Sequence, residues 1–168
     1  MKLSLFAWPL MLLLVTYSCQ TPGPQQTSQS PANQEIGQNP HYDPELAERL
    51  GADIYGMRSY MLVMLKTGSN KTQDQDFIGA CFRGHLENIQ QMVSEGKMIV
   101  AGPLGANKAG YRGIFILTTD SEDEARAWLQ ADPAIKEQLL EAELFTWYGS
   151  AALPAYLETA EKIWQQQP

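Results

Sequence analysis

The spacing of apolar residues changes between two periods along this chain, and that change restricts the folds open to it. YMLVML at 60–65 and IFIL at 114–117 are short, continuously apolar runs, which is typical of strands buried on both faces. Between them, from Thr72 to Gly96, apolar residues recur every three or four positions. This spacing predicts a long amphipathic helix that is closed by Gly96.

The remaining elements complete the alternation. MIVAGP at 98–103 reads as a brief strand, and EAELFTWYG at 141–149 reads as the last one. A second helix is predicted from Ser121, which forms a capping box with Glu124. The order strand, helix, strand, strand, helix, strand predicts an α+β fold, a ferredoxin-like βαββαβ sandwich of the dimeric α+β barrel type.

The predicted helices can cover only one face of such a sheet. Two of its strands are nevertheless apolar on both faces, so the second face also has to be buried. A second copy of the same sheet is the simplest cover. We therefore expect a homodimer that forms through the sheet face.

The N-terminus has the pattern of an export signal. Lys2 precedes an apolar stretch from Leu3 to Val15 that is too short for a transmembrane helix, and Cys19 follows a small residue. This resembles a bacterial lipoprotein signal, although Tyr17 departs from the usual small residue. The resemblance implies a signal peptide at residues 1–18 and lipidation of Cys19. It places the protein in the bacterial cell envelope, anchored to the membrane in the periplasm or at the surface, with simple secretion as the alternative.

Three further segments flank or form the domain. Residues 19–42 are rich in Gln, Pro, Ser and Asn and predict a flexible linker. Residues 43–56 begin with an Asp-Pro helix start and predict a short lead-in helix. The domain proper is expected at 57–149, and residues 150–168 form a C-terminal extension, helical after Pro154.

The charge distribution argues against two classes of partner. The chain has 12 basic and 19 acidic residues, and its net charge is −7. The basic residues do not cluster, whereas nucleic acids and anionic membrane surfaces both require a concentrated positive face. Lys66, Arg83 and Arg112 could each bind an anionic substrate, but isolated cations of this kind are more often simply solvated.

His85 is the best candidate for chemistry, since His41 is the only other histidine in the chain. It flanks the apolar stripe of the first long helix, so it is either a packing residue or a general acid/base. Asp132 is its best candidate partner, and it also has the position of a helix N-cap. A carboxylate that caps a helix stays ionised and can orient an imidazole, so both roles are compatible. A metal site or nucleophilic pair with Cys81 is the weaker alternative.

Several segments together resemble the YCII-related (YciI-like) domain family. They are HLENIQQMVSEGKMIVAGPL, then GIFIL, then SEDEARAWLQADPA, and the resemblance covers about residues 57–149. It implies a ferredoxin-like dimer in which His85 and Asp132 line a pocket. One activity in the family is dehydrochlorination of a chlorinated hydroxyhydroquinone. The chain departs from the family in its export signal and in its extension after Gly149.

Two functions remain open at this point. The first is a small-molecule lyase or isomerase with His85 as general acid/base and Asp132 as its orienting carboxylate, which needs no metal and no organic cofactor. The alternative is a non-catalytic lipoprotein that binds a ligand or a partner on the same scaffold.

Overall fold

A computed structural model describes residues 39–165, so the predicted signal peptide, Cys19 and most of the predicted linker lie outside the described residues. One antiparallel sheet has the strand order β2-β3-β1-β4. Its strands are β1 (Met57–Thr67), β2 (Met98–Pro103), β3 (Tyr111–Leu117) and β4 (Leu140–Ser150).

The helices are α1 (Pro44–Leu50), α2 (Gln75–Ser94), α3 (Glu122–Leu129), α4 (Pro133–Lys136) and α5 (Leu157–Ala160), with a 3-10 turn at Leu153–Tyr156. The order of strands and helices through the sheet confirms the predicted ferredoxin-like α+β fold. No helix in the described part of the chain is long and apolar enough to cross a membrane.

Local sequence signals set most helix ends. Asp43 accepts a hydrogen bond from the backbone N–H of Leu46 at the start of α1, and Gly51 ends that helix with φ 66°. Gly96 closes α2 with φ 69°, as predicted. Helix α2 begins at Gln75, three residues after the predicted start at Thr72, and the carboxylate of Asp74 caps its first turn.

The main core lies between one face of the sheet and helices α2, α3 and α4. Its buried residues from the strands are Met61, Val63, Leu65, Met98, Phe115, Leu117 and Leu140, and those from the helices are Met92, Ala125, Leu129 and Ala134. Each fully buried side chain of this size contributes about 1.5–3 kcal/mol. This cluster therefore dominates the stability of the domain.

Helix α2 buries a different arc from the one its apolar spacing predicts. Its buried residues are Cys81, His85, Asn88 and Met92, whereas Leu86 is 50% exposed. The sequence pattern predicts an ordinary polar face for the amides of this helix, Asn88, Gln90 and Gln91, and for Asn88 this prediction is wrong. The reason is that α2 contacts α4 as well as the sheet. Because α2 packs against both the sheet and α4, it buries a wider arc of its surface than the apolar stripe alone predicts.

The opposite face of the sheet is partly covered by the chain itself. Tyr60, Ile99 and Ile116 form a second buried cluster against which Leu153 of the C-terminal extension packs. The Tyr60 hydroxyl donates to the backbone carbonyl of Ser150 at 2.8 Å. Phe145 on β4 remains 49% exposed. Homodimer formation stays a prediction, with part of its proposed surface already taken by this extension.

Candidate active site

The structure brings His85 and Asp132 together although 47 positions separate them in the sequence. Nδ1 of the imidazole lies 2.6 Å from Oδ2 of the carboxylate. The Asp132 side chain is fully buried, and the His85 side chain is 11% exposed. Because an ionised carboxylate can only accept a hydrogen bond, Nδ1 of the imidazole is the donor and carries a proton.

Each oxygen of Asp132 has a separate task. Oδ1 accepts hydrogen bonds from the backbone N–H groups of Ala134 at 2.9 Å and Ile135 at 3.4 Å, which caps α4. Oδ2 is left to accept from His85. Asp132 therefore caps α4 with one oxygen and holds His85 with the other, so the two predicted roles are compatible in this structure. The cap also fixes the direction of the carboxylate, since it cannot rotate without losing these bonds.

A glycine next to the histidine allows the two helices to approach. A Cβ atom built on Gly84 would lie 2.7 Å from Cγ of Pro133. Gly84 directly precedes His85, and Pro133 directly follows Asp132, so this contact sets the separation of the pair. Sequence reasoning missed Gly84. The available signal was a glycine inside a helical pattern, which costs about 1 kcal/mol relative to alanine and needs a packing reason.

Two aromatic rings flank the imidazole. The ring of Phe82 meets it edge-on, with centroids 6.0 Å apart and planes at 79°. The ring of Phe115 lies 5.8 Å away, at 32°. Nε2 has no hydrogen-bond partner within residues 39–165. Since that region contains no fully buried side-chain nitrogen or oxygen without a partner, Nε2 keeps contact with solvent.

A cavity of about 360 Å³ opens at His85. It lies between α2 and the strands β1, β2 and β3. Its polar lining comes from three side chains, those of His85, Gln90 and Arg112. The remaining lining residues are Leu65, Phe82, Leu86, Ile89, Ala101, Gly102, Pro103, Gly113, Phe115 and Leu140. The imidazole therefore faces a mostly apolar space of the size of a small organic molecule.

Cys81 shares the buried face of α2 with His85 but makes no hydrogen bond to it in the described structure. Burial raises the pKa of the Cys81 thiol, and the negative charges of Glu137 and Asp132 raise it further. A thiol held in its protonated form is a poor nucleophile and a poor metal ligand. Within residues 39–165, no group of three or more His, Cys, Asp or Glu side chains could hold a metal ion.

The three candidate cations occupy different places. Lys66 pairs with Glu143, and this pair holds the pKa of Lys66 above and the pKa of Glu143 below their usual values. Arg83 is exposed on α2 and does not line the cavity. Arg112 lines it. The sequence could not choose among them, because the choice depends on which face of its strand or helix each side chain occupies.

Comparisons with known proteins give a family and likenesses to solved structures. No protein of curated function matches the chain significantly. A solved structure of 5-chloro-2-hydroxyhydroquinone dehydrochlorinase from Burkholderia phenoliruptrix, in complex with 2,5-dihydroxybenzoquinone, is 20% identical over 52% of this chain and 92% of that chain, with a TM-score of 0.37. The family model of the YCII-related domain matches residues 61–147. That match spans more than half of the sequence, and the chain therefore belongs to the YCII-related domain family.

Proposed function

We propose that this protein is a small-molecule enzyme of the lyase or isomerase type, with His85 as its general acid/base. The observation that carries the proposal is the 2.6 Å bond from His85 Nδ1 to Asp132, which leaves Nε2 without a hydrogen bond to the described part of the chain, in a side chain that lines the cavity. Family membership supports a small-molecule enzyme. The reaction is inferred from the geometry of the pair.

The hydrogen bond determines which nitrogen reacts. With the proton on Nδ1 held by Asp132, Nε2 carries the free lone pair and is the base. When Nε2 takes a proton from an acidic C–H or O–H group, the imidazole becomes a cation. The buried carboxylate stabilises that cation, since the opposite charges are in direct contact.

The proton then has two destinations. In an isomerase, Nε2–H returns it to another atom of the same molecule. In a lyase, the electron pair of the broken C–H bond forms a double bond, the leaving group departs with its own bonding pair, and Nε2–H protonates it or a water molecule. A positioned acid/base of this kind accelerates reaction by about 10²–10⁴-fold. The step uses neither a metal nor an organic cofactor.

The lining of the cavity supports this chemistry in a second way. The two phenylalanine rings restrict the imidazole to one orientation. The apolar walls keep bulk water away from Nε2 once a substrate fills the space. With little mobile solvent in the space, the attraction between the imidazolium and the Asp132 carboxylate is stronger than it would be in water.

The test is a metabolite library screened first by thermal shift and then for turnover by mass spectrometry. Binding stabilises the native state according to ligand concentration and affinity, so hits appear as a raised Tm. We expect His85→Ala to keep a thermal shift with the substrate and to lose product formation by at least about 100-fold. His41→Ala is the matched control and should turn over normally. Undiminished turnover in His85→Ala would exclude the proposal and favour the non-catalytic ligand-binding alternative.

We further propose that the enzyme acts in the cell envelope as a lipid-anchored homodimer. The signal pattern at residues 1–18 and Cys19 supports the anchor. The apolar outer face of the sheet, with Phe145 49% exposed, supports the dimer.

A further inference from the structure

Strand β3 contains a bulge at Arg112. Leu65 of β1 pairs with Gly113, but the next residue of β1, Lys66, pairs with Tyr111, so Arg112 is the extra residue. Strict alternation from Ile116, which belongs to the outer-face cluster, would place Arg112 on the outer face too. A bulge interrupts this alternation, and bulges near active sites commonly redirect a side chain.

The bulge exchanges the positions of two side chains. Tyr111 takes the outer-face place, where its hydroxyl donates to the Glu143 carboxylate at 2.9 Å and its ring lies 5.4 Å from the Lys66 ammonium. Arg112 instead lines the cavity that contains His85. The bulge in β3 therefore places a cationic side chain at a cavity whose other lining residues are mostly apolar.

The charge of Arg112 is not balanced by the residues around it. Its guanidinium donates one hydrogen bond, from Nη1 to the Thr67 hydroxyl at 3.2 Å. Arg112 forms no salt bridge with a carboxylate of the described region, and no Asp or Glu lines the cavity. By contrast, Lys66 and Arg126 each have a carboxylate partner. Arg112 is exposed where it lines the cavity, so its guanidinium is accessible to a ligand there.

We propose that Arg112 is an anion-binding subsite of this cavity and that the substrate is a small apolar acid. The planar guanidinium matches a carboxylate with two parallel hydrogen bonds, which Lys or Gln cannot provide. The apolar body of the acid lies against Phe82, Phe115 and Leu65. This subsite deepens the proposed function: proton removal by His85 places negative charge on the substrate, and the cation stabilises that charge.

Equilibrium binding of two matched probes, benzoate and benzamide, tests the subsite in the full chain. The probes have nearly the same shape and differ in charge. We expect benzoate to bind about tenfold or more tightly than benzamide, as for a hydrogen bond to a charged group, and to weaken as salt is raised. Arg112→Gln should remove this preference. Arg112→Lys should keep part of it, because the charge remains while the paired geometry is lost.

Arg83→Gln is the matched control, since it removes the same charge from an exposed site outside the cavity. It should bind benzoate as the wild type does. Three results would overturn the subsite: no benzoate binding to the wild type, equal binding of both probes, or equal losses in Arg83→Gln and Arg112→Gln. None of these concerns turnover. Failure of the subsite is therefore distinguishable from failure of His85 as the base, which the His85→Ala turnover assay detects.

Discussion

Replacing Gly84 by alanine adds one methyl group to the tightest contact between α2 and α4. The new Cβ would lie 2.7 Å from Cγ of Pro133, whereas ordinary contacts begin at 3.4 Å. The two helices must therefore separate by about 0.7 Å at this point. His85 and Asp132 are the adjoining residues, so their 2.6 Å bond would lengthen toward about 3.3 Å, beyond the usual limit.

The stability change follows from two opposed effects. Weakening a hydrogen bond to a buried charged group costs about 1.5–3 kcal/mol. Alanine in a helix interior gains about 1 kcal/mol over glycine. We expect Gly84→Ala to lower the free energy of unfolding by about 0.5–2 kcal/mol, the difference between the two effects.

Two measurements check this expectation. Urea unfolding gives the stability, and NMR of ¹⁵N-histidine-labelled protein reports the Nδ1–H bond directly, because the chain has only two histidines. The Nδ1 proton signal of His85 should weaken or move in Gly84→Ala. Pro133→Ala in the same chain removes Cγ and leaves a 3.5 Å contact with Cβ, so the double variant should regain the signal.

Gly79→Ala is the matched control within α2. Its new Cβ would meet only the flexible Arg83 Nη1, at 3.4 Å. This variant should gain about 1 kcal/mol and leave the His85 signal unchanged. If Gly84→Ala behaved in the same way, the reasoning that Gly84 sets the His85–Asp132 distance would be refuted.

Three further expectations follow from the structure, and a fourth follows from the signal pattern in the sequence. Asp132→Asn should keep the α4 cap but lower turnover of the substrate found in the metabolite screen by about 10²–10⁴-fold. Unchanged turnover would contradict the orienting role. The raised pKa of Cys81 keeps the native thiol protonated, whereas the unfolded thiol ionises near ~8.5. Stability measured by urea unfolding should therefore fall more steeply above that pH in wild type than in Cys81→Ala, and parallel profiles would contradict this. Phe145→Asp should convert a dimer into a monomer by light scattering, whereas a dimer of unchanged affinity would exclude this part of the sheet face. Cys19→Ser should abolish incorporation of labelled fatty acid in cells, and persistent labelling would place the lipid elsewhere.

Sequence periodicity was sufficient for the order of the elements and the class of the fold. The helix starts at Asp43, Ser121 and Asp132 were also readable, because capping is a local interaction within a few residues. The candidate pair could be named from its residue types and from the family resemblance. Its contact could not be derived, since no local rule relates positions 47 apart.

Tertiary structure decided which face of α2 is buried and therefore what surrounds His85. The apolar spacing placed His85 at the edge of the stripe and Asn88 on a polar face. Contact with both the sheet and α4 moved both residues into the buried arc. There the Asn88 amide finds a partner in the Met92 sulfur at 3.5 Å. The partner of Asn88 is local, but the partner of His85 comes from a segment 47 positions away, which a pattern of hydrophobicity does not record.

The sequence by itself determined the alternation of strands and helices and the helix caps, because each depends on neighbours within a few positions. It also named the candidate histidine and aspartate, through their residue types and the family resemblance. Only the tertiary structure decided that Gly84 admits Pro133 and that a bulge directs Arg112 into the cavity. The physical reason is that a close contact and a register shift are both set between elements. Each of them joins residues that are far apart in the chain.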